Sequence, residues 1–152
     1  MPSKGMLVAG ALALLATTTS AVVVYGGGTL SGTINDDVTV GAGYGTIVID
    51  GADIKGTLTF NTLDTGASVI IKDSQVTTGD GIYFTGTLTS CAVTMINVVS
   101  SGVTGAKCGL NVVKLVGTSI SVTGGSLYGD TIGLYVTATA SNNFDAASSV
   151  SL

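Results

Sequence analysis

The 152-residue chain contains no Glu, Arg, His or Trp, and a single Pro. Each absence excludes something. Without His, the commonest catalytic base and zinc ligand is missing, and the two cysteines, Cys91 and Cys108, fit no metal-ligand spacing. Without Arg, and with five scattered Lys and a formal net charge of −4, the chain has no basic patch to hold nucleic acid. Glu and Arg favour helices, so their loss beside abundant Thr and Val argues for strands. Charged residues make up only 9% of the chain, while 45% are hydrophobic, far too many for a disordered segment.

All nine acids are Asp, and eight of them, Asp36, Asp37, Asp50, Asp53, Asp64, Asp73, Asp80 and Asp130, are weighed as candidate catalytic acids. Nearly all stand beside Gly, Asn or Thr, as aspartates that cap turns do. Glycoside hydrolysis needs two carboxylates about 5–10 Å apart. Alignment of the internal repeats sets Asp50 beside Lys72 and Asp53 beside Gln75, and neither is a carboxylate pair. Asp36-Asp37 and the Asp50/Asp53 corner offer oxygen ligands for calcium, but the Gly-Gly-x-Gly-x-Asp repeat of calcium-binding rolls is missing. The expectation is therefore a protein that is not an enzyme and carries no cofactor or metal.

What the chain does have is repetition. Thr46-Ile-Val-Ile, Ser68-Val-Ile-Ile, Ala92-Val-Thr-Met and Ser119-Ile-Ser-Val recur every 22 to 27 residues, each with two apolar residues facing one side of a strand. A second motif returns as Gly81-Ile-Tyr-Phe84, Gly109-Leu-Asn-Val112 and Gly133-Leu-Tyr-Val136. A third, looser one is Thr57-Leu-Thr-Phe60, Thr87-Leu-Thr89 and Lys114-Leu-Val116. A unit of this size cannot bury its apolar face alone and must stack on copies of itself. Stacking would line Ile47, Val69, Val93 and Ile120 in one inward column, and Ile49, Ile71, Met95 and Val122 in another. The glycines that open the second motif mark places where the chain bends and a Cβ would clash.

This pattern resembles a right-handed parallel β-helix. The resemblance implies an all-β fold of about 4–5 turns over 46–140. Ahead of it lie a hydrophobic N-terminal helix over 1–25 and a Gly-rich hinge and first-turn cap over 26–45. A C-terminal cap or tail covers 141–152. Enzymes that degrade pectin share that fold, but its lyases usually rely on Arg or Lys near bound calcium, and Arg is missing here.

Met6 to Tyr25 carries no charge and follows Lys4. A secretory signal would use Leu7–Ala16 as its apolar stretch and Thr19-Ser-Ala21 as its cleavage site. A membrane anchor would use the whole run, since about 20 apolar residues span a bilayer. Lys4-Gly5 followed by Met6-Leu-Val-Ala-Gly-Ala-Leu-Ala-Leu-Leu-Ala also resembles the class III signal of archaeal type IV pilins. That resemblance implies cleavage after the Gly and an apolar helix packed into a filament core. Met6, Leu7, Val8, Leu12, Leu14, Leu15, Val22, Val23, Val24 and Tyr25 would then be its assembly residues, and Gly26-Gly-Gly28 its hinge. Pilin heads of that family are usually immunoglobulin-like sandwiches, and this chain departs from them.

Two further features bear on partners. Tyr83, Asn111 and Tyr135 share one repeat phase and face outward, a possible ligand face on which a surface glycan could stack. Cys91 and Cys108 could form a disulfide in an exported protein, or stay buried as thiols. The combined expectation is an extracellular, cell-surface or virion-surface structural subunit. It assembles with itself and meets a membrane during export or as an anchor. The alternative is a carbohydrate-binding, adhesive module on the same fold.

Overall fold

The computed structural model describes residues 7–8, 22–24, 28–41, 45–102, 108–129, 132–136 and 147–152. Its strands are β1 (Leu7–Val8), β2 (Val22–Val24), β3 (Thr29–Ile34), β4 (Val38–Val40), β5 (Thr46–Ile54), β6 (Leu58–Phe60) and β7 (Ser68–Lys72). They continue as β8 (Gln75–Val76), β9 (Ile82–Thr89), β10 (Ala92–Gly102), β11 (Cys108–Val116), β12 (Ser119–Gly129), β13 (Ile132–Val136) and β14 (Ser149–Ser151). One sheet runs β1-β2-β4-β6-β9-β11-β13 and the other β14-β12-β10-β7-β5-β3, with β8 beside β5 and β10. Every pairing is parallel, and from β2 onward the chain alternates between the sheets, with β8 staying on the side of β7. The molecule is a parallel β-solenoid of about four turns.

The expected columns form. Ile47 pairs with Val69, Val69 with Val93 and Val93 with Ile120; Ile49, Ile71, Met95 and Val122 follow two residues on. In the opposite sheet Ile82, Leu110 and Leu134 stack, as do Phe84, Val112 and Val136. The two inner faces meet in one core running from Leu30 to Ile120. Phe60 and Phe84, from consecutive turns, stack with centroids 4.5 Å apart and planes 9° from parallel. Full burial of such a ring contributes about 2–3 kcal/mol, and the ring pair adds about 1 kcal/mol.

Each long strand of the second sheet bends at one place. Gly51 (φ 63°), Asp73 (φ 47°), Asn97 (φ 53°) and Gly124 (φ 67°) follow the paired residues Asp50, Lys72, Ile96 and Thr123, so they stack as a corner column in left-handed backbone. Gly, Asn and Asp tolerate that region best. Asn97 Nδ2 donates to Asp73 Oδ1 at 3.0 Å, tying two turns together at the corner.

Three placements differ from the sequence-based expectation. Leu58–Phe60 pairs with Ile82–Phe84, so it belongs to the second motif and not to the third. Thr87–Thr89 and Lys114–Val116 do pair with each other, as extensions of β9 and β11 beyond a bulge between Val112 and Lys114. The drift in the third motif has this cause: the later turns carry a longer strand where the earlier turn has a loop at 61–66. Thr29–Val40 forms strands of the coil, pairing onto β5 and β6, and Ser149–Ser151 pairs onto β12.

Most of the N-terminal helix expected over 1–25 lies outside the described residues. The two pieces that are described, Leu7–Val8 and Val22–Val24, are strands paired parallel with each other, and the second also pairs with Val38–Val40. Among the described residues there is no α-helix, and no helix long and apolar enough to cross a membrane.

Candidate functional site

The parallel register that fills the core also aligns the outward residues. Asn111 pairs with Tyr83 on one side and Tyr135 on the other, so the three stand in one row across β9, β11 and β13. Thr59 and Thr39 extend the row towards the first turn. Tyr135 is 40% exposed, whereas Asn111, held between its neighbours, is only 9% exposed. Its Oδ1 is shut off from solvent and has no hydrogen-bond partner among the described residues. A cavity of about 310 Å³ opens beside it, lined by Cys108, Asn111, Ile132 and Tyr135.

Cys108 starts β11 and is buried. Burial pushes its thiol above the ordinary value of 9.0, and the nearby Asp80 charge pushes it further the same way. The thiol is thus kept from becoming a nucleophile. Asp80 Oδ1 is also shut off from solvent with no partner among the described residues. Asp80 N donates to Thr57 Oγ1 at 2.9 Å.

Cys91 lies before β10, a different phase of the coil from Cys108. Its Sγ lies 3.4 Å from Thr89 O and 3.6 Å from Asp64 O as a buried thiol, so the possible Cys91–Cys108 disulfide is not formed here. Cys91 closes one corner of the coil while Cys108 opens a strand of the opposite sheet, which separates the two sulfurs.

The glycines that open the second motif are where the chain approaches itself. A Cβ on Gly81 would strike the carbonyl oxygens of Cys108 and Gly109, and one on Gly109 would lie 2.5 Å from Tyr128 N and 2.8 Å from Gly133 O. No side chain fits there, and the cavity lies next to this seam.

Several of the described aspartates are occupied with local structure. Asp36 Oδ1 accepts from Asp37 N at 2.8 Å, and Asp37 Oδ1 accepts from Thr57 N at 2.7 Å. Asp50 pairs with Lys72 at 3.0 Å, and Asp53 Oδ1, though shielded, is held by Lys55 at 2.9 Å. The expected neighbours Asp50/Lys72 and Asp53/Gln75 are register partners. A groove of about 400 Å³ follows the corner column past Asp53, Asp73, Gln75 and Asn97. No three His, Cys, Asp or Glu residues among those described gather to hold a metal ion.

Of the expected assembly residues, Met6, Leu12, Leu14, Leu15 and Tyr25 lie outside the described residues, and Leu7, Val8, Val22, Val23 and Val24 are described by their strands alone. Sequence reasoning missed the buried hydroxyls. Ser74 Oγ donates to Lys72 O and accepts from Ala52 N; Thr118 Oγ1 donates to Leu88 O and accepts from Cys91 N. Ser100 Oγ donates to Gly109 O at 2.5 Å. Ser74 and Thr118 satisfy backbone groups between strands, and Ser100, within β10, satisfies a carbonyl of the opposite sheet. Their only signal was position, because Ser and Thr are common throughout the chain.

No protein-family model, characterised protein or solved structure is detectably similar to the chain.

Proposed function

We propose that this protein is a structural subunit of an extracellular filament, pilus-like, or of a virion surface assembly. Its solenoid, a right-handed coil, faces outward, and the Met6–Tyr25 segment is buried between subunits. The observation that carries this reading is the uncharged N-terminal run, long enough to pack against neighbouring copies or to pass through a membrane during export. The rest of the chain supports it. Its low charge suits close packing, and Asp36, Asp37, Asp50 and Asp53 serve turns and ion pairs. The role is structural, not catalytic, with the protein's own copies as its main partner.

Deleting residues 6–21, which spares Val22–Val24 and its pairing to Val38–Val40, tests this directly. The expected result is a folded, monomeric coil by circular dichroism and sedimentation, where the full chain assembles. Assembly that persists unchanged in the deleted chain contradicts the reading.

One observation favours a second reading, a secreted or surface-anchored carbohydrate-binding module. Tyr83, Asn111 and Tyr135 form a continuous outward row, and Asn111 carries a buried acceptor with no partner among the described residues.

A further inference from the structure

Two polar atoms stand out because they are withdrawn from water without a partner among the described residues: Asn111 Oδ1 and Asp80 Oδ1. An acceptor left in that state is costly to the fold. Cys108 links their surroundings. Its thiol feels the Asp80 charge, Gly81, next to Asp80, packs against the Cys108 and Gly109 carbonyls, and Cys108 lines one cavity of about 310 Å³ together with Asn111, Ile132 and Tyr135.

Its chemistry is specific. Both orphan atoms are acceptors and call for donors. Around them are apolar surfaces, with Ile132 38% and Tyr135 40% exposed. A ligand that fits has hydroxyl donors on its rim and a C–H face to lay on an aromatic ring. Acidic ligands would bring more negative charge towards the Asp80 carboxylate. Calcium takes six to eight oxygens, more than one carboxylate and one amide supply.

We infer that this cavity binds a neutral sugar residue, with a hydroxyl donating to Asn111 and the ring face resting on Tyr135, while the Asp80 carboxylate near Cys108 disfavours anionic ligands. The inference rests on the carbohydrate-binding reading and gives it a ligand class and a location.

The test is binding of the full chain to an array of neutral and acidic glycans, alongside Asn111→Leu and Tyr135→Ala. Asn111→Leu removes the orphan acceptor and keeps the stack filled; Tyr135→Ala changes an exposed side chain, so it reports on the site even if the first variant misfolds. The expected result is neutral-glycan binding by the parent chain, weakened about tenfold or more by each substitution, with no fall in melting temperature. Neutral-glycan binding that both folded variants keep overturns the site but leaves the carbohydrate-binding reading standing. Binding of acidic glycans alone overturns the ligand class. A parent chain that binds no glycan overturns both.

Discussion

The middle turns of the coil and its C-terminal end carry the same inward pattern but not the same burial. Val93, Met95, Leu110 and Val112 are all within 1% of complete burial. One turn further on, Val122, Leu134 and Val136 hold the equivalent positions and are only partly buried. A cavity of about 370 Å³ opens there, lined by residues that include Val122, Leu127, Leu134 and Leu152. The side chains are of the same kind; among the described residues only β14 pairs beyond this turn, and it covers Ile120, not Val122, Leu134 or Val136. In a solenoid, burial is conferred by the neighbouring turn, so stability is concentrated where a turn has neighbours on both sides.

Paired substitutions sharpen this comparison most. Phe84→Ala, in the middle of the ring stack, is expected to cost about 3–5 kcal/mol in chemical denaturation. Val136→Ala, in the same column one turn from Val112, is expected to cost about 1 kcal/mol or less, because its site is already partly open. Equal losses would break the comparison.

Thr118→Val probes how the corners are held. It keeps the shape but strips the hydroxyl from Cys91 N and Leu88 O in a fully buried place, for an expected loss of about 1–3 kcal/mol. Asn111→Leu acts in the opposite direction. Removing a buried acceptor without a partner is expected to raise stability by about 1 kcal/mol, seen as a higher melting temperature. A fall would mean that Asn111 serves the fold after all.

An alkaline titration gives a weaker effect. The folded protein holds the Cys108 proton more tightly than the unfolded chain does, first through burial and then through Asp80. Stability on this account is flat below the ordinary thiol value of 9.0 and falls as pH climbs through the raised folded value. Cys108→Ala is expected to lessen that alkaline slope. The smallest change belongs to Lys55→Ala and Lys72→Ala, whose ion pairs are partly exposed, at about 0.5 kcal/mol each and less in high salt.

The core was legible in the sequence because two periods coincide in it. Apolar residues one apart give the strand face, and their return every 22 to 27 residues gives the stacking register; Ile47/Val69/Val93/Ile120 needed nothing more. The same register sets Tyr83, Asn111 and Tyr135 in line from the sequence pattern alone. Leu58–Phe60 was misphased because Thr-Leu-Thr occurs in two different strands, and only pairing tells them apart. The orphan oxygens were invisible, since a missing partner is a property of the surroundings and not of the residue. The corner column was hidden by its variety: Gly51, Asp73, Asn97 and Gly124 share a backbone conformation but not a residue type.

Assembly is the role proposed for this chain, and sedimentation of the natively isolated protein probes it. The account predicts species far larger than the 14.9 kDa chain, resolved by electron microscopy as regular filaments or shells. A single species at 14.9 kDa across the accessible concentration range would contradict it.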